Sequence, residues 1–195
     1  EGVQAFAESV MQREPELHIL VNNAGATWGA TIDEFPEKGW DKVMDLNVKS
    51  LFFLTQAFLS ALREAGSHED PARVINIGSI NGLSYSQLLN YSYSASKAAV
   101  HRLTSHMAAD LAADHINVNA IAPGFFPSKM TDQVFAHRLK EVEHNSLLGR
   151  VGTAEEMAGV AIYLCSRAGA YTHGVVIPVD GGTSINHRHA GPASE

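Results

Sequence analysis

Short apolar runs alternate with long helical patterns along this chain, and that alternation limits the fold more than any other feature. Leu17-His18-Ile19-Leu20-Val21 is a brief apolar run ended by Asn22-Asn23-Ala24-Gly25. Val74-Ile75-Asn76-Ile77-Gly78, Ile116-Asn117-Val118-Asn119-Ala120-Ile121 and Val175-Val176-Ile177-Pro178-Val179 repeat the pattern. The last two are stopped by Pro123-Gly124 and Asp180-Gly181-Gly182. Runs this short and this apolar read as buried strands. Helical periodicity fills the intervals. Val3, Phe6, Ala7, Val10 and Met11 share one face of a first helix, and a long pattern runs from about Pro36 to Ala65. Further helices are expected from Tyr91 to Asp114, from about Asp132 to Glu143, and from a Thr153 cap to about Ser166. Glu155 and Glu156 fall in the first turn of the last, where the helix dipole favours them. Strands joined by helices of this length mean crossover connections, so the chain reads as α/β with a doubly wound parallel sheet.

No internal repeat and no dividing linker is present, since Gly66–Pro71 is a loop between elements. One domain over residues 1–183 is expected, followed by a polar tail, 184–195, that frays. Leu17–Val21 is apolar enough for an inner strand, which needs hydrogen-bond partners on both sides, and folded proteins avoid long open apolar edges. The expectation is that further strands precede Glu1 and that the first strands of the domain are missing here.

Charge narrows the partners. Lys and Arg number 14 against 21 Asp and Glu, a net charge of −7, with no basic run, which argues against nucleic acid and anionic membrane. No apolar stretch approaches the roughly 20 residues of a membrane span. The single cysteine, Cys165, excludes an intramolecular disulfide framework and a Cys-based zinc cluster. It suits a reducing compartment such as the cytoplasm, and reads as a small buried hydrophobe. The ten histidines include no His-Glu-x-x-His pattern, so no metal site is expected. His101, His106 and His115 read as solvated or capping, and His187 and His189 fall in the tail.

The sharpest chemical signal is Tyr93-Ser94-Ala95-Ser96-Lys97. Residues four apart on a helix stand one above the other. A phenol of reference pKa ~10 is a weak acid–base near neutrality, and a neighbouring ammonium favours the phenolate. Tyr85 and Tyr91 lack such a lysine. Ser79 lies at the carboxyl end of the Val74 strand, and ligand sites of open α/β sheets gather outside those ends. A hydroxyl there can stabilise charge on a substrate oxygen, and its bland reading is a turn cap. Ser84 offers a second hydroxyl but stands too few residues before Tyr93.

In order and placement these residues resemble the short-chain dehydrogenase/reductase family, over nearly the whole chain to Gly182. Asn22-Asn23-Ala24-Gly25 is similar to the turn that supports the adenosine side of the family's cofactor. Asn47, in Asp45-Leu46-Asn47-Val48, matches the Asn of the family's catalytic tetrad, and Ser79, Tyr93 and Lys97 match the other three. Pro123-Gly124-Phe125-Phe126-Pro127-Ser128 resembles the loop contacting the nicotinamide, with Ser128 where Thr is frequent. Asp180-Gly181-Gly182 resembles the closing motif. The Ser79-to-Tyr93 gap is one residue longer than the family's commonest spacing.

The resemblance implies a Rossmann-like fold and hydride transfer between NADP or NAD and a small carbonyl/alcohol substrate. It implies catalytic roles for Asn47, Ser79, Tyr93 and Lys97, and cofactor contacts from Asn23, Ala24, Gly25, Tyr93, Lys97, Pro123, Gly124, Phe126 and Ser128. Tyr93 exchanges the proton, Ser79 steadies the substrate oxygen, Lys97 lowers the Tyr93 pKa and holds the nicotinamide ribose, and Asn47 supports a water. The Gly-rich turn that cradles the pyrophosphate is missing from these residues, and with it the residue that sorts NAD from NADP. Ile121–Thr131 most resembles 3-oxoacyl-acyl-carrier-protein reductases, which points to a 3-oxoacyl thioester. The apolar cluster Leu51-Phe52-Phe53-Leu54 is half explained by core packing, and the rest points to a helix–helix interface of a homodimer or homotetramer. The alternative is a truncated, non-catalytic member that only dimerises.

Overall fold

Among the described residues, four strands form one parallel sheet in the spatial order β1-β2-β3-β4, where β1 is Ile19–Asn22, β2 Ala72–Ile77, β3 Ile116–Pro123 and β4 Val176–Val179. This computed structural model describes residues 2–86 and 88–186. Helices α1 (Gly2–Met11), α2 (Glu37–Met44), α3 (Ser50–Ala57), α4 (Leu59–Ala65), α5 (Tyr91–Leu111), α6 (Asp132–Asn145) and α7 (Ala154–Cys165) cover both faces. The alternation of side chains along each strand builds a core on each side. Val74 and Val118 face Leu51, Leu62, Val100 and Leu111 of the α3–α5 layer, whereas Ile75 and Ile121 face Leu164 of α7. The doubly wound reading holds.

Within the Leu17–Val21 run, β1 begins at Ile19 and, among the described residues, pairs with β2 alone. Leu20 and Asn22 are buried, while Ile19 and Val21 stay 41% and 48% exposed. The helix expected from Pro36 to Ala65 is broken twice. Asp45–Lys49 adopts a π turn, and Phe58 leaves helical geometry at φ −95°, ψ 2°. The π turn arises where the Asn47 side chain is pulled inward by hydrogen bonds to the backbone of Ala26. Such one-turn insertions are frequent at functional sites.

Polar groups cross the core in one chain. Asn22 and Asn76 stand opposite each other on β1 and β2, and the Asn22 amide donates to Asn76 Oδ1 (2.9 Å) and Thr55 Oγ1 (3.0 Å). The Asn76 amide donates in turn to Thr104 Oγ1 of α5 at 3.0 Å. Buried amides need such partners, so the network fixes α5 against the sheet tips.

The Thr153 cap is present as a full capping box, with the Glu156 carboxylate accepting from the Thr153 amide. Beyond β4, the Ser184 amide donates to the Asp180 carboxylate at 2.7 Å and the Asn186 amide to the Asn145 carbonyl at 2.8 Å. The rest of the expected tail, with His187 and His189, lies outside the described residues. Among the described residues no helix is long and apolar enough to cross a membrane.

Candidate active site

The carboxyl ends of β2 and β3, the turn after β1 and the first two turns of α5 converge, and they bring the catalytic candidates together. Ser79 follows β2 at φ −170°, ψ 154°, and its Oγ accepts from the Asn81 amide at 3.2 Å, capping a short 3₁₀ turn. The same hydroxyl is close enough to Tyr93 to favour its phenolate. The turn-cap reading and the catalytic reading of Ser79 are therefore compatible. Ser84 turns away, donating to the Ile80 carbonyl at 3.3 Å.

Tyr93 and Lys97 lie on one stripe of α5, with Lys97 Nζ 5.5 Å from the Tyr93 ring centroid. Lys97 is buried and donates to the Ile77 carbonyl at 2.7 Å. Burial drives its pKa from 10.5 to about 8. Tyr93 is raised overall, because burial outweighs the lowering influence of the Ser79 hydroxyl.

Asn47 reaches the site from the π turn. Its Oδ1 accepts from the Ala26 amide at 2.8 Å, and its amide donates to the Ala26 carbonyl and to Ser96 Oγ, both at 2.9 Å. Ser96 donates onward to the Tyr93 carbonyl at 2.7 Å. Both amide protons are thus spent on tying the β1 turn to α5. Ser96 escaped the sequence reading, although a serine inside the Tyr-x-x-x-Lys span was its visible trace.

The cofactor candidates lie around this centre. Asn23 and Ala24 are exposed at the tip of β1 and Gly25 is half-buried. Pro123 ends β3 opposite Val179, and the Gly124 amide donates to the Val179 carbonyl at 2.9 Å, which binds the loop to the Asp180-Gly181-Gly182 turn. Phe126 is half-buried, and its carbonyl accepts from Thr131 Oγ1 at 2.7 Å. That same oxygen accepts from the Ser128 amide at 2.9 Å and lies 3.1 Å from Ser128 Oγ. Thr131, which the sequence reading passed over, therefore holds the loop that carries Ser128. No hydrogen bond joins Ser128 to Tyr93 or Lys97.

These residues fit the nicotinamide-ribose end of a dinucleotide. A Cβ on Gly25 would stand 3.8 Å from Lys97 Nζ and 3.4 Å from Asn47 Oδ1, so its absence keeps a shelf clear beside the ammonium. The bond to Ile77 uses one of the three Lys97 donors, which leaves donors for sugar hydroxyls. Next to the site a cavity of about 440 Å³ opens at Ile80 and Asn81 and extends to α6.

Comparison with known proteins agrees with this geometry. The profile of the family described as Enoyl-(Acyl carrier protein) reductase matches residues 1–184. A rhamnolipids biosynthesis 3-oxoacyl-[acyl-carrier-protein] reductase of Pseudomonas aeruginosa is 48% identical over 184 residues, covering 93% of this chain and 72% of that protein. A 2-dehydro-3-deoxy-D-gluconate 5-dehydrogenase of Dickeya dadantii is 39% identical, covering 93% of this chain and 71% of its own. Among solved structures, the Pseudomonas aeruginosa RhlG/NADP active-site complex superposes with a TM-score of 0.90 at 47% identity, over 94% of this chain and 72% of that one. A gluconate 5-dehydrogenase from Burkholderia cenocepacia in complex with NADP and tartrate gives 0.87 at 30% identity, over 94% and 71%. With a parallel sheet of this order, a Tyr/Lys stripe at its tips and relatives of this coverage, the chain belongs to the short-chain dehydrogenase/reductase family of NAD(P)-dependent oxidoreductases.

Proposed function

We propose that the protein interconverts a 3-oxoacyl thioester and its 3-hydroxy form with NADP(H), with Tyr93 as proton donor and acceptor. The observation that carries this reading is the convergence of Tyr93, Ser79 and Lys97 beyond the carboxyl end of β2, one residue before the cavity that begins at Ile80. The Ser79 hydroxyl is near enough to act on the Tyr93 phenol, so one substrate oxygen placed between them meets both hydroxyls. The raised pKa keeps the phenol protonated at neutral pH, ready to give its proton to an oxygen that gains charge. Lys97 offers its donors toward the Gly25 shelf, and Asn47 and Ser96 keep that shelf and α5 in register. The bound cofactor supplies or accepts the hydride. Asn23, Ala24, Pro123, Gly124, Phe126 and Ser128 are proposed as its contacts, in keeping with NADP in three of the similar solved structures.

The choice of an acyl substrate over a sugar acid rests on the cavity wall. Ile80, Leu83, Leu88, Phe125, Val134 and Val142 give it an apolar stretch on which an acyl chain can lie, among polar side chains such as Asn81, Ser86 and Asn145. Its one cation, Arg138, is already paired with Glu141 and so offers a carboxylate substrate little. The proposed setting is a homo-oligomer in the cytoplasm. The exposed pair Phe52 and Phe53 supports the first part and the free thiol of Cys165 the second.

The test uses protein expressed from its complete reading frame. Wild type is expected to oxidise NADPH with acetoacetyl thioester and to leave a 2-keto-3-deoxy sugar acid untouched. Tyr93→Phe is expected to lose about 10²–10⁴ in kcat while keeping its fold. Full activity in that variant would remove Tyr93 from the chemistry, and turnover of the sugar acid alone would overturn the acyl assignment.

A further inference from the structure

One turn beyond Lys97 and two beyond Tyr93, on the same stripe of α5, stands His101. The sequence reading left it solvated or capping. It is instead buried, 8% exposed, beneath the turn that carries Ser79. The Ser79 amide donates to His101 Nε2 at 3.4 Å. The ring occupies space that two glycines leave open. A Cβ on Gly78 would overlap Nε2, and one on Gly82 would stand 2.7 Å from Cε1. The imidazole is therefore wedged between the residue before Ser79 and the end of the 3₁₀ turn that Ser79 caps.

We infer that His101 is a positioning residue: as a neutral ring it accepts from the Ser79 amide, braces the Gly78–Gly82 turn from below, and so sets where the Ser79 hydroxyl stands relative to Tyr93. The inference rests on the reading of Ser79 and Tyr93 above. Only the tautomer with hydrogen on Nδ1 accepts at Nε2. Burial and the Lys97 ammonium both hold the ring's pKa below the ordinary imidazole value, against an opposing influence of the Gly82 backbone. The neutral form that the hydrogen bond needs is thereby the one present at neutral pH. Protonation would turn Nε2 from acceptor to donor and set it against the Ser79 amide. Phe or Leu could fill the wedge, but neither could accept.

Kinetics of the full-length protein with acetoacetyl thioester and NADPH test this. His101→Leu is expected to lower kcat about 10- to 100-fold, the usual cost of a small misplacement at a reacting centre, with KM for NADPH unchanged. His101→Gln, whose Oε1 replaces Nε2 as acceptor, is expected to recover most of that loss. In a Ser79→Ala background His101→Leu is expected to cost nothing more, because the histidine acts through the serine. Equal losses in the Leu and Gln variants, or a full additive loss in the Ser79→Ala background, would overturn the inference. The ¹⁵N shifts of the wild-type imidazole decide independently of activity and of variant folding. A protonated Nδ1 with an accepting Nε2 supports the assignment, and the opposite tautomer sinks it. If wild type reduces the thioester but Tyr93→Phe does too, the functional reading fails first, whatever His101 does.

Discussion

Lys97 carries an electrostatic conflict. Its ammonium has left water for a site with one carbonyl partner, and its pKa has fallen from 10.5 to about 8. Between those values the unfolded chain binds more protons than the folded one, so Lys97 makes stability rise with pH through that window. Below about 8 the folded state carries a buried charge at a cost. Lys97→Met is therefore expected to be more stable than wild type at neutral pH. The difference between the two proteins should shrink as pH climbs from 8 to 10.5 in urea titrations. A difference independent of pH would show that the lysine is not desolvated as the geometry implies. A residue that destabilises the fold it belongs to is usually retained for chemistry, which agrees with the proposed ribose contact. Tyr93 points the same way, since burial leaves its phenol a proton donor rather than a ready base.

Among the elements, α7 is specified locally. Thr153 Oγ1 accepts from the Glu156 amide, and the Glu156 carboxylate accepts from the Thr153 amide and from Arg150. Those donors hold Glu156 down to about 2. Thr153→Ala is expected to cost about 1 kcal/mol, roughly 2–4 °C in Tm for a chain of this size. Calorimetry checks it, and an unchanged Tm would mean that packing alone holds the helix start. The stretch from α2 to α4 behaves differently. No local rule places a π turn at Asp45–Lys49; Asn47 stabilises it only because Ala26 and Ser96, from a distant loop and helix, present partners.

At the level of the whole molecule, the apolar surface left uncovered includes the β1 edge and one face of α3. Ile19 and Val21 lie along the β1 edge. Phe52 and Phe53 meet edge to face with ring centroids 5.4 Å apart, 37% and 46% exposed, while Leu51 beside them is buried in the core. An exposed aromatic pair on a helical layer supports the proposed helix–helix contact between copies. Phe53→Glu is expected to shift the assembled protein toward monomer in size-exclusion chromatography with light scattering. An unchanged mass would place any subunit contact elsewhere.

Periodicity and punctuation sufficed for the sheet, the order of its strands in the chain, α5 and the α7 cap, because each depends on residues within one or two turns of each other. The Tyr93/Lys97 stripe was legible for the same reason, four residues on one helix face. What stayed hidden came from residues far apart in the chain. The buried state of His101 depends on Gly78 and Gly82, the inward turn of Asn47 on Ala26, and the raised Tyr93 pKa on how deeply the assembled site excludes water. Spacing along a helix places groups side by side, but solvent exclusion belongs to the packed whole, so only the tertiary structure could tell that burial leaves the Tyr93 pKa raised overall.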